Sequence, residues 1–106
     1  MINEEEVNKA LEWLVSNADK AAEARATRQY LEDFSRTIKA EIMSEHMTET
    51  VNAQERYAYS DGRYKTHLEG LRVAFKEDEK FRWLKDTAIA KIDVYRTQQA
   101  NLRGVR

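Results

Sequence analysis

The fold is decided by residues 20–46, which read KAAEARATRQYLEDFSRTIKAEIMSEH. The stretch contains no proline or glycine, the two residues that break or weaken a helix. Residues at steps of three or four, the period of one helical face, form a stripe that is firmly apolar from Leu31 onward. The stripe consists of Ala24, Thr27, Leu31, Phe34, Ile38 and Ile42. A helix of this length spans about 40 Å at 1.5 Å per residue.

The rest of the chain is also poor in residues that force the backbone to turn. Its 106 residues include three glycines, no proline and no cysteine. Charged residues make up 35% and hydrophobic residues 42% of the sequence. This composition predicts one helical domain over residues 1–106, with long helices, few loops and a narrow apolar stripe that needs a partner to bury it.

The first helix is predicted over residues 4–17. Asn3 is a suitable N-cap, and Glu6 stands three residues later, as in a capping box. The apolar face of this helix is formed by Val7, Leu11, Leu14 and Ala18. Ser16 and Asp19 form a second cap pattern, so we expect a kink or break there and a second helix over residues 19–46.

A loop is predicted over residues 47–52, with Thr50 and Asn52 as alternative caps for a third helix over residues 53–102. A loop this short between two long helices predicts an antiparallel hairpin. Asp61-Gly62 is ordinarily a turn signal, but it stands in a helical pattern; we read the helix through it and keep a break as the alternative. Gly104 is expected to end the helix, with the residues after it fraying.

The third helix carries two apolar phases, which we expect to meet at the charged residues 76–80 as a stutter or bend. The first phase comprises Tyr57, Tyr64, Leu68, Leu71 and Phe75. The second comprises Phe81, Leu84, Ala88, Ile92, Tyr95 and Leu102. The predicted fold class is all-α, a long coiled-coil-like antiparallel hairpin that completes a four-helix bundle as a homodimer, with Leu31, Phe34, Leu68 and Leu71 in the core.

The residues do not predict an enzyme. A di-iron site needs Glu-x-x-His pairs, but Met43 and Tyr64 stand three residues before His46 and His67. Glu41, Glu45 and Glu49 lie on one helical face beside His46, which is typical of a solvated helix end. The absence of cysteine excludes thiol nucleophiles and zinc-thiolate sites. We therefore expect no catalytic residues, no cofactor and no metal ligands.

Charge is distributed unevenly along the chain. Residues 1–53 carry about −5 and residues 54–106 about +4, although the net charge is −1. Pairing of an acidic helix with a basic one explains this, and nucleic-acid binding is the alternative. The candidate nucleic-acid contacts are Lys80, Arg82, Lys85, Lys91, Arg96 and Arg103. The acidic N-terminus is unlike a signal peptide and no apolar run is long enough to span a membrane, so we expect a cytoplasmic protein.

Aromatic residues suggest a protein interface. Tyr59 and Trp83 lie off the apolar stripe, and a Trp in that position is more often an oligomer contact than a platform for bases. The candidate interface residues are Trp13, Leu14, Phe81, Trp83 and Leu84.

Residues 55–69, ERYAYSDGRYKTHLE, together with residues 95–101, YRTQQAN, resemble small uncharacterised helical proteins encoded by tailed phages and prophages. The resemblance implies a phage context, often near replication and recombination genes, and transfers no activity or catalytic residue. The predicted function is a non-enzymatic phage accessory protein, a helical adaptor or modulator of a phage or host protein. The alternative is a nucleic-acid-binding accessory of phage replication or recombination, with weak, non-specific affinity of roughly 10⁻⁴ to 10⁻⁶ M.

Overall fold

The computed structural model describes residues 1–104, which form three α-helices and contain no strand. Helix α1 is Glu4–Ser44 with 41 residues, α2 is Val51–Ser60 with 10 residues, and α3 is Gly62–Gly104 with 43 residues. The predicted all-α class and helical hairpin are confirmed. The fraying expected beyond Gly104 concerns residues outside the described part of the chain.

Helix α1 begins as predicted but is not interrupted. The Asn3 side chain accepts a hydrogen bond from the Glu6 amide at 2.9 Å, which satisfies one free N–H of the first turn. The predicted break at residues 16–19 is wrong, because α1 continues to Ser44. Inside the helix, the Asn17 amide donates to the Trp13 carbonyl at 3.0 Å, so this polar side chain bonds to its own helix rather than starting a new one.

The loop lies at residues 45–50, two residues earlier than predicted. Thr50, one of the two alternative caps, is the N-cap of α2: its hydroxyl accepts from the Ala53 amide at 3.2 Å. The residue before a helix has an extended backbone that Thr adopts readily, and Thr50 has φ −65° and ψ 158°.

The helix predicted over residues 53–102 is two helices, because the turn at Asp61-Gly62 is real. Asp61 is extended, with φ −70° and ψ 139°, and its N–H donates to the Ala58 carbonyl at 3.3 Å. Its carboxylate accepts from the Arg63 amide at 2.8 Å. Asp61 thus ends α2 and caps the start of α3.

The structure consists of two compact units, and one of them comprises Ala24–Asp78. On α1 one row of buried and half-buried residues follows steps of three and four: Ala24, Arg28, Leu31, Ser35, Ile38 and Ile42. Phe34, a predicted core residue, is half-buried beside this row. The corresponding row on α3 is Tyr64, His67, Leu71, Ala74 and Asp78. Four of the six predicted stripe residues on α1 are therefore in the buried row.

The predicted core of this unit is wrong at Leu68, which is 44% exposed, and at Tyr57, which is also exposed. At the step where Leu68 was predicted, the buried residue is its neighbour His67, which is only 9% exposed. His67 is tolerated there because its Nε2 and the Ser35 hydroxyl form a hydrogen bond of 2.8 Å. Asp78 is tolerated because an Arg28 N–H donates to its carboxylate at 2.8 Å.

The other unit comprises Met1–Glu23 and Glu79–Arg106, of which residues 79–104 are described on α3. Its row on α1 is Val7, Ala10, Leu14, Asn17 and Ala21. Its row on α3 is Phe81, Ala88, Ile92, Tyr95 and Gln99, with the exposed Lys85 at the intervening step. The Trp13 and Phe81 rings lie 6.4 Å apart between centroids and join the two helices.

The predicted phase shift at residues 76–80 is wrong, since the buried row of α3 keeps its steps from Tyr64 to Gln99. Several predicted stripe residues on α1 and α3 are exposed. They are Leu11, Ala18, Thr27, Leu84 and Leu102. Small residues take the central positions instead: among residues 1–104, six of the eight buried apolar residues are alanines, so the helices can approach closely.

Candidate functional site

Four ring-bearing side chains near the loop between α1 and α2 form two packed pairs, which lie on different sides of α2 because residues two apart do not share a helical face. We call His46, Tyr57, Tyr59 and Tyr64 the aromatic cluster. His46 and Tyr57 stack face to face, with ring centroids 4.1 Å apart and planes 9° apart. Tyr57 is nevertheless 45% exposed, so one side of its ring is available to a partner.

Tyr59 is fixed in a similar way while remaining 49% exposed. Its ring meets Tyr64 edge to face, at a centroid distance of 5.4 Å and an angle of 80°. The ammonium group of Lys39, on α1, lies 4.9 Å from the ring centroid of Tyr59, on α2. Interaction with the Tyr59 side chain, together with the negative charge of Glu55, raises the pKa of Lys39.

Arg63 ties the beginning of α3 to the end of α1. Its guanidinium donates to both carboxylate oxygens of Glu45, at 2.9 and 2.6 Å, and to Asp61, at 3.1 and 3.0 Å. The Arg63 side chain and amide hold the pKa of Asp61 at about 2, and the side chain also lowers the pKa of Glu45. This bidentate geometry gives a charge pair its greatest directional strength, so the loop is fastened on both sides.

Apolar side chains project from the same loop. Met47 and Val51 are both exposed, at the last turn before α2 and at its first residue. Exposed Met and Tyr on a rigid support are typical of protein-binding surfaces. The arrangement offers an amphipathic contact area.

The acidic residues beside His46 do not form a site of their own. Glu45 is bound to Arg63, and His46 is stacked on Tyr57. Within residues 1–104, no group of three or more His, Asp or Glu side chains is arranged to hold a metal ion.

The predicted interface residues differ in their exposure to solvent. Trp13, Leu14 and Phe81 are half-buried, and Trp13 packs on Phe81 within the chain. Trp83 is 72% exposed and Leu84 is also exposed, so these two remain available for an interface.

All six candidate nucleic-acid residues are exposed on α3. Arg82, Arg96 and Arg103 are separated by multiples of seven residues and therefore share one face of the helix. Arg82 pairs with Glu79 at 3.7 Å and Arg96 with Asp93 at 3.5 Å, both along the same helix. Exposed pairs of this kind are weak and salt-sensitive.

Sequence reasoning placed Tyr57 and Tyr64 on the apolar stripe. Tyr64 does lie in the buried row of α3, but Tyr57 is exposed and stacks on His46, a pairing that the sequence did not predict. The signal that could have found it is Asp61-Gly62: a turn there changes which side of the chain each tyrosine faces. His46 carried no signal of its own, since it lies in the loop and its stacking partner is 11 positions away in α2.

Comparisons with models of protein families, with curated proteins and with solved structures gave no match. Along residues 1–104, no helix combines the length and the apolar character that crossing a membrane requires.

Proposed function

We propose that the chain is a non-enzymatic accessory protein of a phage or prophage that binds another protein in the bacterial cytoplasm. In this role it is a helical adaptor or modulator whose contact area is the aromatic cluster with Met47 and Val51. The observation that carries the proposal is that Tyr57 and Tyr59 are half exposed while each is held by a packed neighbour.

The fixed geometry supports binding, because ordering a side chain on association costs about 0.5–1.5 kcal/mol for a flexible residue. Tyr57 and Tyr59 incur less of that cost, since His46, Tyr64 and Lys39 already restrict their rings. Tyrosine also combines apolar area with a hydroxyl, which suits an interface that is wet at its edge.

The test is affinity capture from bacteria carrying the phage, with the tagged chain and two variants. The double variant Tyr57→Ala, Tyr59→Ala removes the proposed contacts. Tyr30→Ala is the matched control, since Tyr30 is an exposed tyrosine that stacks on Phe34 away from the loop, at 5.7 Å between ring centroids. We expect one protein to be retained by the wild type and the control and lost by the double variant. Equal capture by all three would contradict the proposal.

Nucleic-acid binding is the second candidate, supported by the exposed Trp83 next to Arg82 and by the row of Arg82, Arg96 and Arg103. A stacking aromatic beside basic side chains is the usual arrangement for binding single strands. Binding to a single-stranded oligonucleotide should then weaken steeply between about 50 and 200 mM salt. A triple variant, Arg82→Gln, Lys85→Gln, Arg96→Gln, should abolish it; absence of any wild-type binding at about 50 mM salt would eliminate this candidate.

A further inference from the structure

A row of uncharged residues runs along the side of α3 that faces away from its buried row. We call it the outer row: Trp83, Thr87, Ala90, Val94, Thr97 and Asn101. All six residues are exposed, and they follow steps of four and three, as the contact positions of a coiled coil do. The outer row spans residues 83–101, or about 27 Å of helix. It is separate from the aromatic cluster and does not depend on the proposed function.

The outer row has charged residues at its edges. Asp86 comes just before Thr87, and Lys91 comes just after Ala90, so they stand on opposite edges of the row. They correspond to the g and e positions of a coiled coil whose a and d positions are the outer row. Glu79 and Asp93 share the edge of Asp86, but each has an Arg three residues further on, at 3.7 and 3.5 Å.

These edges distinguish the two ways in which identical rows can pair. In a parallel pair, a g residue faces the e residue five positions further along the partner, which places Asp86 opposite Lys91 twice. In an antiparallel pair, g faces g and e faces e, which brings acidic edges together and lysines together. Charge complementarity therefore favours the parallel arrangement.

The composition of the row fits the same arrangement. Thr87 and Val94 are β-branched residues at a positions, which parallel dimers favour. Asn101 is also at an a position, where a polar residue fixes register at some cost in stability. Trp83 occupies a d position and supplies most of the apolar area.

The accessible surface area of the chain is larger than that of a typical folded monomer of its mass. Its accessible area is 8174 Å², whereas a folded monomer of 12.5 kDa exposes roughly 6,200 Å². An isologous contact uses the same surface on both copies and closes after two subunits.

We propose that a second copy of this chain docks on the outer row, with the two α3 helices parallel and Trp83 against Trp83. This arrangement differs from the closed four-helix bundle expected from the sequence, because the outer row lies on the side of α3 opposite its buried row. The occupant is the same chain, recognised by an uncharged row with Asp86 and Asp93 on one edge and Lys91 on the other.

Cysteine crosslinking tests the orientation, since the wild-type chain has no cysteine. Ala90→Cys and Thr97→Cys place one thiol each at equivalent positions about 10 Å apart along the helix. In the parallel pair each variant links to its own copy under mild oxidation, because both Cα pairs come within the roughly 7 Å that a disulfide allows. Linking of only one variant overturns the parallel orientation. If neither links and sedimentation gives the mass of one chain at about 100 μM, the second copy itself is ruled out.

Charge variants give an independent readout by sedimentation equilibrium. Asp86→Lys places Lys opposite Lys91 in a parallel pair and should weaken self-association about tenfold, and adding Lys91→Asp should restore it. Strengthening by Asp86→Lys alone would instead indicate antiparallel packing and overturn the proposal. Trp83→Ala should weaken association at least tenfold with unchanged helicity, while Tyr30→Ala, an exposed aromatic away from the row, should change it less than twofold.

Discussion

Two polar pairs stand among the buried rows of the Ala24–Asp78 unit. Arg28 on α1 forms a hydrogen bond with Asp78 on α3. About two helical turns closer to the loop, Ser35 on α1 forms one with His67 on α3. Arg28 also donates to Glu32 at 3.2 Å and lies 3.9 Å above the Phe75 ring centre. A shift of α1 along α3 would separate donors from acceptors in both pairs, so these residues set the alignment of the helices.

Removing one member of the charged pair should therefore be costly. Asp78→Ala leaves Arg28 without its shortest hydrogen bond in a half-buried position, and we expect a loss of about 1–2 kcal/mol in the free energy of unfolding. Replacing both residues, as Arg28→Leu with Asp78→Leu, should recover most of that loss. Urea denaturation followed by circular dichroism measures both.

Glu69→Ala is the matched control for the charged pair. Glu69 bonds to Arg72 along one exposed turn of α3, at 2.8 Å, so its removal should cost less than about 0.5 kcal/mol. An effect of Asp78→Ala as small as that of the control would show that the pair contributes nothing to alignment.

At the scale of elements, the junction between α2 and α3 depends on a single charged group. Asp61 closes α2, caps α3 and binds Arg63, which also holds Glu45 at the end of α1. The α1–α2 loop and the α2–α3 turn are thus joined by one guanidinium.

This junction should make stability depend on pH. Both carboxyl groups have a lowered pKa in the folded chain, so their contribution is present above their ordinary values of 3.8 and 4.5 and is lost as pH falls toward about 2. We expect the melting temperature of wild-type protein to drop over this range, and Arg63→Gln to flatten the drop. Arg56→Gln, an exposed arginine of α2, should leave the wild-type profile; identical profiles for both variants would contradict the assignment.

Gly70 weakens α3 without a visible structural need. A Cβ built on it has no neighbour within 4 Å, and no glycine among residues 1–104 has a positive φ. Gly70→Ala should raise the free energy of unfolding by about 0.5–1 kcal/mol, measured by urea denaturation. Gly104→Ala, at the end of α3, should change it far less. A loss of stability at Gly70 would mean that another surface packs closely there.

The sequence predicted helix content and the hairpin because propensity, capping at Asn3 and the absence of proline all act locally. It placed part of the buried rows correctly, including Leu31, Leu71 and Ile92, and failed where apolar size was taken as the guide. Leu68 was preferred to His67, and Asp78 was not placed in the row, although each of these polar residues is accommodated by a partner 32 or 50 residues away. The aromatic cluster was missed for the same reason, since His46 and Tyr57 meet only once the loop is formed.

At the scale of the whole molecule, the two units differ in how their ion pairs are arranged. Within Ala24–Asp78, Arg28–Asp78 joins α1 to α3, and Lys39–Glu55 joins α1 to α2. Arg63–Glu45 joins α3 to the α1–α2 loop, and pairs along one helix, such as Arg72–Glu69, also occur in this unit. In the other unit, Lys9–Glu5, Arg82–Glu79 and Arg96–Asp93 each run along one helix. Pairing between helices adds to cooperativity in the first unit, whereas pairing within a helix does not.

Local opening should follow this difference. In hydrogen exchange at low protein concentration, amides of residues 28–42 and 67–78 should exchange more slowly than those of residues 8–22 and 83–101. Raising the concentration should slow exchange in residues 83–101 if a second copy covers the outer row. Equal rates in both units at low concentration would contradict the expected difference.

The alanines of the buried rows also have a thermal consequence. Because the core consists mostly of alanine methyl groups, unfolding exposes little additional apolar surface to water. The heat capacity of this protein should therefore rise on unfolding by less than is usual for globular proteins, about 12–15 cal/mol/K per residue. The enthalpy of unfolding then changes little with temperature, and the stability curve is shallow and broad. Calorimetry should show a low, wide transition, and cooling should destabilise this protein less than it does one built around leucine and phenylalanine.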